Sequence, residues 1–335
     1  MSGQQHLYLE QLLDGKNLSS HESRELFMQI MEGLVDPLMI AGILAALRAK
    51  GEHVDELTGA VEAMRSHMTP VDAPTDILDT CGTGGDRKGT LNISTATALV
   101  VAGAGVKVAK HGNRSVSSRS GSADVLEQLG VPLNLTATQE SAQLHSVGMT
   151  FLMAPNHHAA MKHVVPVRKA LKTRTIFNLL GPLSNPARAK RQLIGVYDRK
   201  WLKPFATVLA RLGSHKAWIV HGHDGLDEIT LGAPTDIAQL KDGEVTTFTL
   251  NPNDYGLNLK DPNGLIGGLP EQNAQAIDDL LHGADNDFRK VVLLNSAAAL
   301  MVAEKAIDFQ NGLELAALSI DGGAALRVLQ QLRVE

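Results

Sequence analysis

The chain has 335 residues, of which 44% are hydrophobic and 20% charged, so it has ample material for a packed core and is not a disordered chain. Its formal net charge of −5 argues against a nucleic-acid partner, which would call for a basic surface. The single cysteine, Cys81, excludes an internal disulfide and a cysteine-built metal cluster, and suits a reducing, cytoplasmic setting.

Met1 to Gln5 lack the basic-then-apolar order of a secretory leader. The longest uninterrupted apolar run, Ala98 to Val106, is about half the ~20 residues a membrane span needs, so no membrane association is expected. The length predicts two domains, or one with a large annex. Residues 1–70 read as a small helical domain of three short helices. Ser19 and Glu22 fit a capping box ahead of Leu26, Phe27, Ile30, Met31 and Leu34 at helical spacing. Asp36-Pro37 reads as an N-cap and first helical residue, with a stop at Gly51. The third helix begins near Val54 and ends before Pro70.

From about residue 71 to 335 the chain reads as a larger α/β domain. Short apolar stretches alternate with helical ones: Ile77-Leu78 before a helix from Ile93, and Val106 to Ala109 before a helix from Ser122. Met149 to Met153 leads to a helix at His157, and Leu193 to Tyr197 leads to Trp201–Leu212, followed by Ala217 to Val220. That alternation predicts a mostly parallel central sheet with ligands at the carboxyl ends of its strands. His157 to Leu171 and Thr175 to Leu180 look helical with no strand between them, so residues near 160–190 are expected to return to the N-terminal helices as an insertion. Asp236 to about Pro262 reads as a hairpin, and Asp287 to Val334 as helical.

Four clusters carry chemistry. Asp79-Thr80-Cys81-Gly82-Thr83-Gly84-Gly85-Asp86 follows a strand and leads to Thr90, Asn92, Ile93, Ser94 and Thr95 at a helix start. Its glycines allow close backbone approach, and free N–H groups at a helix N-terminus attract anions. A plain βα turn is the other reading; the spacing is neither a Walker A loop nor a Rossmann fingerprint. Lys110 to Ser122 holds three basic residues and five serines in thirteen positions, which suits a diphosphate, or else a solvated loop. Asp227 and Glu228, past the next strand, offer hard oxygens for Mg²⁺, or else an acidic surface turn; zinc at His221 and His223 lacks further ligands. Arg168, on an apolar helical face, suits a carboxylate, or else a salt bridge between helices.

At these residues the chain resembles the anthranilate phosphoribosyltransferases of tryptophan biosynthesis. The likeness runs through Asp79 to Asp86, Gly89-Thr90, Asn92 to Thr95, Lys110 to Ser118, Gly121 to Glu127, Arg174 to Leu183, Asn185-Pro186 and Asp224 to Glu228, and spans essentially the whole chain. It implies a nucleoside-phosphorylase-like fold, a homodimer formed through the helical domain, and transfer of a phosphoribosyl group from 5-phosphoribosyl 1-diphosphate (PRPP) to anthranilate. By position it implies PRPP contacts at Gly82, Gly85, Asp86, Thr90, Asn92, Ile93, Ser94, Thr95, Lys110, His111, Gly112, Asn113, Arg114, Ser115, Val116, Ser117, Ser118 and Ser122. It implies anthranilate contacts at Gly82, Asn113 and Arg168, catalytic roles for Lys110 and Arg168, and Mg²⁺, two ions per site, at Ser94, Asp227 and Glu228. Lys88, Leu91, Met153, Ala159 and Lys172 depart from the pattern the resemblance leads one to expect.

The arylamine of anthranilate is neutral near pH 7 and needs no strong base, and no nucleophilic triad is visible; Cys81 reads as packing. Two other functions compete. A pyrimidine-nucleoside phosphorylase would share the fold but has no need of the Asp227-Glu228 pair. A non-catalytic relative that binds nucleic acid would need basic surface, against the net charge.

Overall fold

The computed structural model describes residues 2–115, 119–261 and 263–333. Four helices open the chain: α1 (Ser2–Leu13), α2 (Ser20–Met31), α3 (Pro37–Lys50) and α4 (Val54–Ser66). The sequence reading expected three. The extra one is α1, whose Gln- and His-rich start carries no capping signal; it is held by burial of Tyr8 and Leu12. The capping box at Ser19/Glu22 and the Asp36 cap with Pro37 in the first turn form as the sequence predicts.

The α/β part runs β1 (Leu78–Gly82), α5 (Ile93–Gly103), β2 (Val108–Gly112), α6 (Ser122–Gln128), α7 (Ala137–Val147), β3 (Met149–Met153) and α8 (Ala154–His157). A 3₁₀ turn at Ala159–His163 and the short helices α9 (Val165–Leu171) and α10 (Phe177–Leu180) follow. The helix expected to run from His157 to Leu171 is therefore broken: one turn ends at His157, and Pro166 restarts the chain as α9. Then come β4 (Arg191–Gly195), α11 (Leu202–Arg211), β5 (Lys216–Gly222), β6 (Thr235–Lys241) and β7 (Glu244–Leu250). The strand read at Leu193 to Tyr197 begins two residues earlier, because Arg191 pairs with Leu78 and Lys216. The tail is α12 (Pro270–Leu281), which the sequence reading left unassigned, α13 (Asp287–Val302), α14 (Phe309–Asp321) and α15 (Ala324–Leu332).

The seven strands form one sheet in the order β3-β2-β1-β4-β5-β6-β7. β1 to β5 are parallel, and the β6–β7 hairpin adds two antiparallel strands at the edge. Alternate side chains face opposite layers, as strand geometry requires. Leu193, Trp218 and Ile237 join a core with α5, α6 and α12–α15. Ile194, Ile219 and Ala238 join α11, the N-terminal helices, and Val164, Val167, Phe177 and Leu180 from the 159–183 segment. The molecule is thus a small helical N-terminal domain beside a larger α/β domain, sharing one continuous apolar layer. Among the described residues no helix is long and apolar enough to cross a membrane.

Candidate active site

Strand order decides where a ligand can sit. The chain winds from β1 out to β3 on one side and from β4 to β5 on the other. The direction reverses between β1 and β4, so the loops after these neighbours diverge and leave a crevice at their carboxyl ends. The Gly-rich motif is the loop after β1. Gly84 and Gly85 adopt φ of +62° and +82°, which side-chain-bearing residues rarely tolerate. The loop is stitched across the crevice: the Thr83 N–H donates to Gly195 O at 2.9 Å, and the Tyr197 N–H to Thr83 Oγ1 at 3.0 Å. Arg174 pins its tip, with Nη2 donating to Gly85 O at 2.6 Å and the guanidinium 3.9 Å from the centre of the Tyr197 ring. Arg174 falls within the resemblance, yet no spacing in the sequence announces this contact.

Asp227 and Glu228 belong to the turn after β5, and the fold draws them back over the β1–β4 junction. Gly195 makes this approach possible, since a Cβ there would lie 1.6 Å from Asp227 O. Asp227 Oδ2 is 3.4 Å from the position a Cβ on Gly82 would take. Asp227 and Asp86 lie side by side: burial raises the Asp227 pKa first, and the Asp86 charge adds to it, against the Gly84 N–H, which lowers it. Glu228 is raised by burial and then by Asp227, against Lys110 and the Ser94 N–H. Asp86 Oδ2 is buried with no hydrogen-bond partner among the described residues.

Lys110 explains part of this arrangement. It is 1% exposed, and its Nζ donates to Thr80 O and, at 3.3 Å, to Ser94 Oγ. The ammonium therefore lies beneath Ser94, with burial lowering its pKa and Asp79 opposing that. Ser94 stands in the first turn of α5. The N-cap residue, Asn92, makes no side-chain cap. Its Oδ1 instead accepts from Asn273 Nδ2 at 2.8 Å, and its Nδ2 donates to Ser120 O at 3.4 Å. The start of α5 thus faces the crevice without a cap from Asn92, and its Ser94 N–H turns to the Glu228 carboxylate instead. Thr95 and Ile93 are buried there, and Thr90 bridges to Ile266.

The second loop is organised by Asp124, which the sequence reading assigned only to a helix start. Its Oδ2 accepts from the N–H groups of Ser115 (3.0 Å) and Gly121 (2.9 Å). Arg114 donates to Asp124 at 3.1 Å and to Glu127 at 2.7 Å, so this guanidinium is engaged with α6. Ser122 Oγ donates to Asn113 O at 3.3 Å, and Asn113 Oδ1 accepts from the Arg114 N–H at 2.8 Å. Gly112 closes β2 against Phe151 and Ser122. His111 is buried, with its N–H donating to Asp79 and its Nδ1 3.1 Å from Gly181 O. Val116, Ser117 and Ser118 lie outside the described residues.

Arg168, on α9, is half-buried, and burial lowers its pKa. Its Nη2 is 3.5 Å from Asn178 Oδ1, and its guanidinium carbon 5.9 Å from the Phe177 ring centre. No carboxylate pairs with it among the described residues, which removes the salt-bridge reading. Cys81 is buried, and burial and Asp79 push its thiol up, as suits packing.

The donor set suits a hard divalent cation: carboxylates crowded together against desolvation, with one orphaned oxygen. Among the described residues no three or more His, Cys, Asp or Glu form a cage that would hold a metal by itself. An ion here would draw its remaining oxygens from water and a bound phosphate, as Mg²⁺ commonly does.

The fold and this crevice define a glycosyl transferase of two parts. Residues 7–68 match the family described as glycosyl transferase, helical bundle domain, and residues 74–326 match glycosyl transferase, a/b domain. Anthranilate phosphoribosyltransferase of Azospirillum brasilense is 54% identical over 97% of this chain and 91% of its own length. That of Afipia carboxidovorans is 52% identical over 97% and 96%. The crystal structure of anthranilate phosphoribosyltransferase from Thermus thermophilus superimposes with a TM-score of 0.91 at 39% identity, covering 97% of this chain and 98% of that one. The Saccharomyces cerevisiae enzyme in complex with PRPP and Mg gives 0.90 at 29% identity, covering 99% and 97%. The chain belongs to the anthranilate phosphoribosyltransferase family.

Proposed function

We infer that this chain transfers the 5-phosphoribosyl group of PRPP to the amine of anthranilate, giving N-(5-phosphoribosyl)anthranilate and pyrophosphate. The observation that carries the reading is the convergence of Ser94, Asp86, Asp227 and Glu228 beside the start of α5, in the crevice where the strand order reverses. The yeast relative's complex with PRPP and Mg supports diphosphate and metal at such a site, and its complex with 4-fluoroanthranilate supports the acceptor.

Each residue then has a task. The Gly82–Asp86 loop and the α5 start cradle the diphosphate through backbone N–H groups. Asn113, Ser115 and Ser122 present the second loop to it. Arg168, free of carboxylate partners, holds the anthranilate carboxylate and aims the amine, with Gly82 and Asn113 bordering both substrates. Lys110 works from behind, fixing Ser94 Oγ and offsetting the charge of Glu228. Magnesium, two ions per site, would be held by Ser94, Asp227 and Glu228 and would offset the charge gathering on the departing pyrophosphate.

The same reading places a homodimer on the helical domain, where Leu7 and Leu13 of α1 and Leu38 of α3 are exposed, the last at 83%. It also places the enzyme in the cytoplasm. The test follows anthranilate fluorescence with purified protein, PRPP and Mg²⁺. Loss of signal that requires both PRPP and metal is expected. Loss that persists without PRPP, or no loss at all, would overturn the reading.

A further inference from the structure

A second cavity lies at the opposite end of the strands. It has a volume of about 740 Å³ and opens between α2 and α4 on one side and the turns that precede β4 and β5 on the other. Arg188 and Lys190 stand just before β4 begins at Arg191, and Ser214 just before β5 begins at Lys216. The crevice described above starts where those strands end, a strand length of roughly 15 Å away.

The walls are strongly cationic. Arg24, Arg65, Arg188 and Lys190 line the cavity, with His21 beside them, and Glu62 is the one carboxylate among the lining residues. Glu62 is met by Arg24 at 3.8 Å. Among the described residues no carboxylate pairs with Arg65, Arg188 or Lys190. Arg65 forms part of the floor, with Nε and Nη2 donating to Leu183 O at 2.9 and 2.6 Å. Burial pulls its pKa down to about 10, and the neighbouring Arg188 charge adds to this. Like charges held together on a chain of net charge −5, with serine hydroxyls from Ser20, Ser66 and Ser214 between them, make a poor scaffold contact and a good anion receptor.

We propose that this cavity binds a small multivalent anion of the phosphate class, spanning the junction between the N-terminal helices and the α/β domain. Guanidinium and ammonium groups come from both sides of that junction: Arg24 and Arg65 from the helices, Arg188 and Lys190 from the α/β part. An occupant of two or more phosphates would reach both at once and tie the two parts together.

Hydrogen exchange on the full chain, with and without sodium tripolyphosphate, tests this. Protection is expected at residues 20–24, 62–66 and 188–190, in addition to any at the 82–95 and 110–122 loops. The double variant R188E/K190E is expected to lose the first set, with at least tenfold weaker apparent binding there, and to keep the loop protection and its activity without added anion. R24E, on an exposed position of α2, repeats the test should the double variant fail to fold. Protection confined to the 82–95 and 110–122 loops, or binding unaltered by charge reversal, would overturn the proposal.

Discussion

The side-chain amide of Asn273, 1% exposed on α12, donates to Asn92 Oδ1 at 2.8 Å and so keeps Asn92 from capping its own helix. Asn273 Oδ1 accepts from the Gly268 N–H at 2.7 Å, and the same segment bonds the first loop through Leu265 O to the Leu91 N–H and Gly89 O to the Gly267 N–H. Asn273 is thus a positioning residue: α12 keeps the Asn92 side chain off the first turn of α5, on the crevice side where Ser94 meets Glu228. N273A is expected to free Asn92 to cap α5 and compete with phosphate. PRPP KM should rise about tenfold, equivalent to ~1.4 kcal/mol, with kcat changed less. Equal loss in kcat and in kcat/KM would instead show that Asn273 serves only the reacting geometry.

Arg168 is expected to act on the acceptor alone. Losing a charged hydrogen-bonding partner costs about 1.5–3 kcal/mol, so R168A should raise the anthranilate KM roughly 10- to 100-fold. PRPP binding by calorimetry should hold. An unchanged anthranilate KM would remove the assigned role.

The carboxylates make opposite demands on activity and stability. Burial and mutual repulsion raise Asp227 and Glu228, so D227N/E228Q should relieve the folded state while weakening metal-dependent turnover. We expect kcat/KM to fall by about 10² or more, and the melting temperature without metal to rise by roughly 1–2 °C for each 1 kcal/mol gained. Scanning calorimetry in EDTA, beside kinetics across Mg²⁺ concentration, separates the two effects.

His158 gives the protein an acid sensitivity. Burial first, then the His157 charge, lower its pKa from 6.5 to about 4, and burial lowers His111 as well; the two rings sit 5.2 Å apart. Between pH 6.5 and 4 the unfolded chain binds protons that the folded chain refuses, so stability falls as pH falls. Each such histidine contributes a slope of about 1.4 kcal/mol per pH unit. His157 works the other way: burial lowers it, but Glu140 and the Thr69 carbonyl together raise it above the ordinary value, so its contribution is complete below pH 6.5 and fades as pH rises through the folded value. Melting measured from pH 7 to 4.5 should show the decline, and H158N should flatten it.

Lys172 caps α9 in the left-handed region, with φ +50°. The resemblance leads one to expect glycine there, and the structure supplies the reason, since a Cβ is strained in that conformation. K172G should stabilise the fold by about 1 kcal/mol. A decrease in denaturation midpoint would contradict this.

The sequence made some of this legible and hid the rest for physical reasons. The α2 and α3 caps and the glycine loop are local devices, written in consecutive residues and readable there. Asp227 and Glu228 were visible as a pair, but their contact with Asp86 depends on which strands are neighbours. Asn273 and Arg174 stand 181 and 89 residues from the groups they hold, and no periodicity encodes such partners. The first helix carries no capping pattern in its sequence, and the restart at Pro166 is hidden because apolar spacing continues through the break.

One apolar layer joins α11 and the β4 and β5 faces to the N-terminal helices without interruption. Cutting the chain near residue 70 would strip this layer on both fragments, leaving the helices with no opposing face and the sheet fully covered only on its α5 and α12–α15 side. The two parts should therefore melt as a single calorimetric unit, and damage to α4 should lower the temperature at which the sheet itself comes apart.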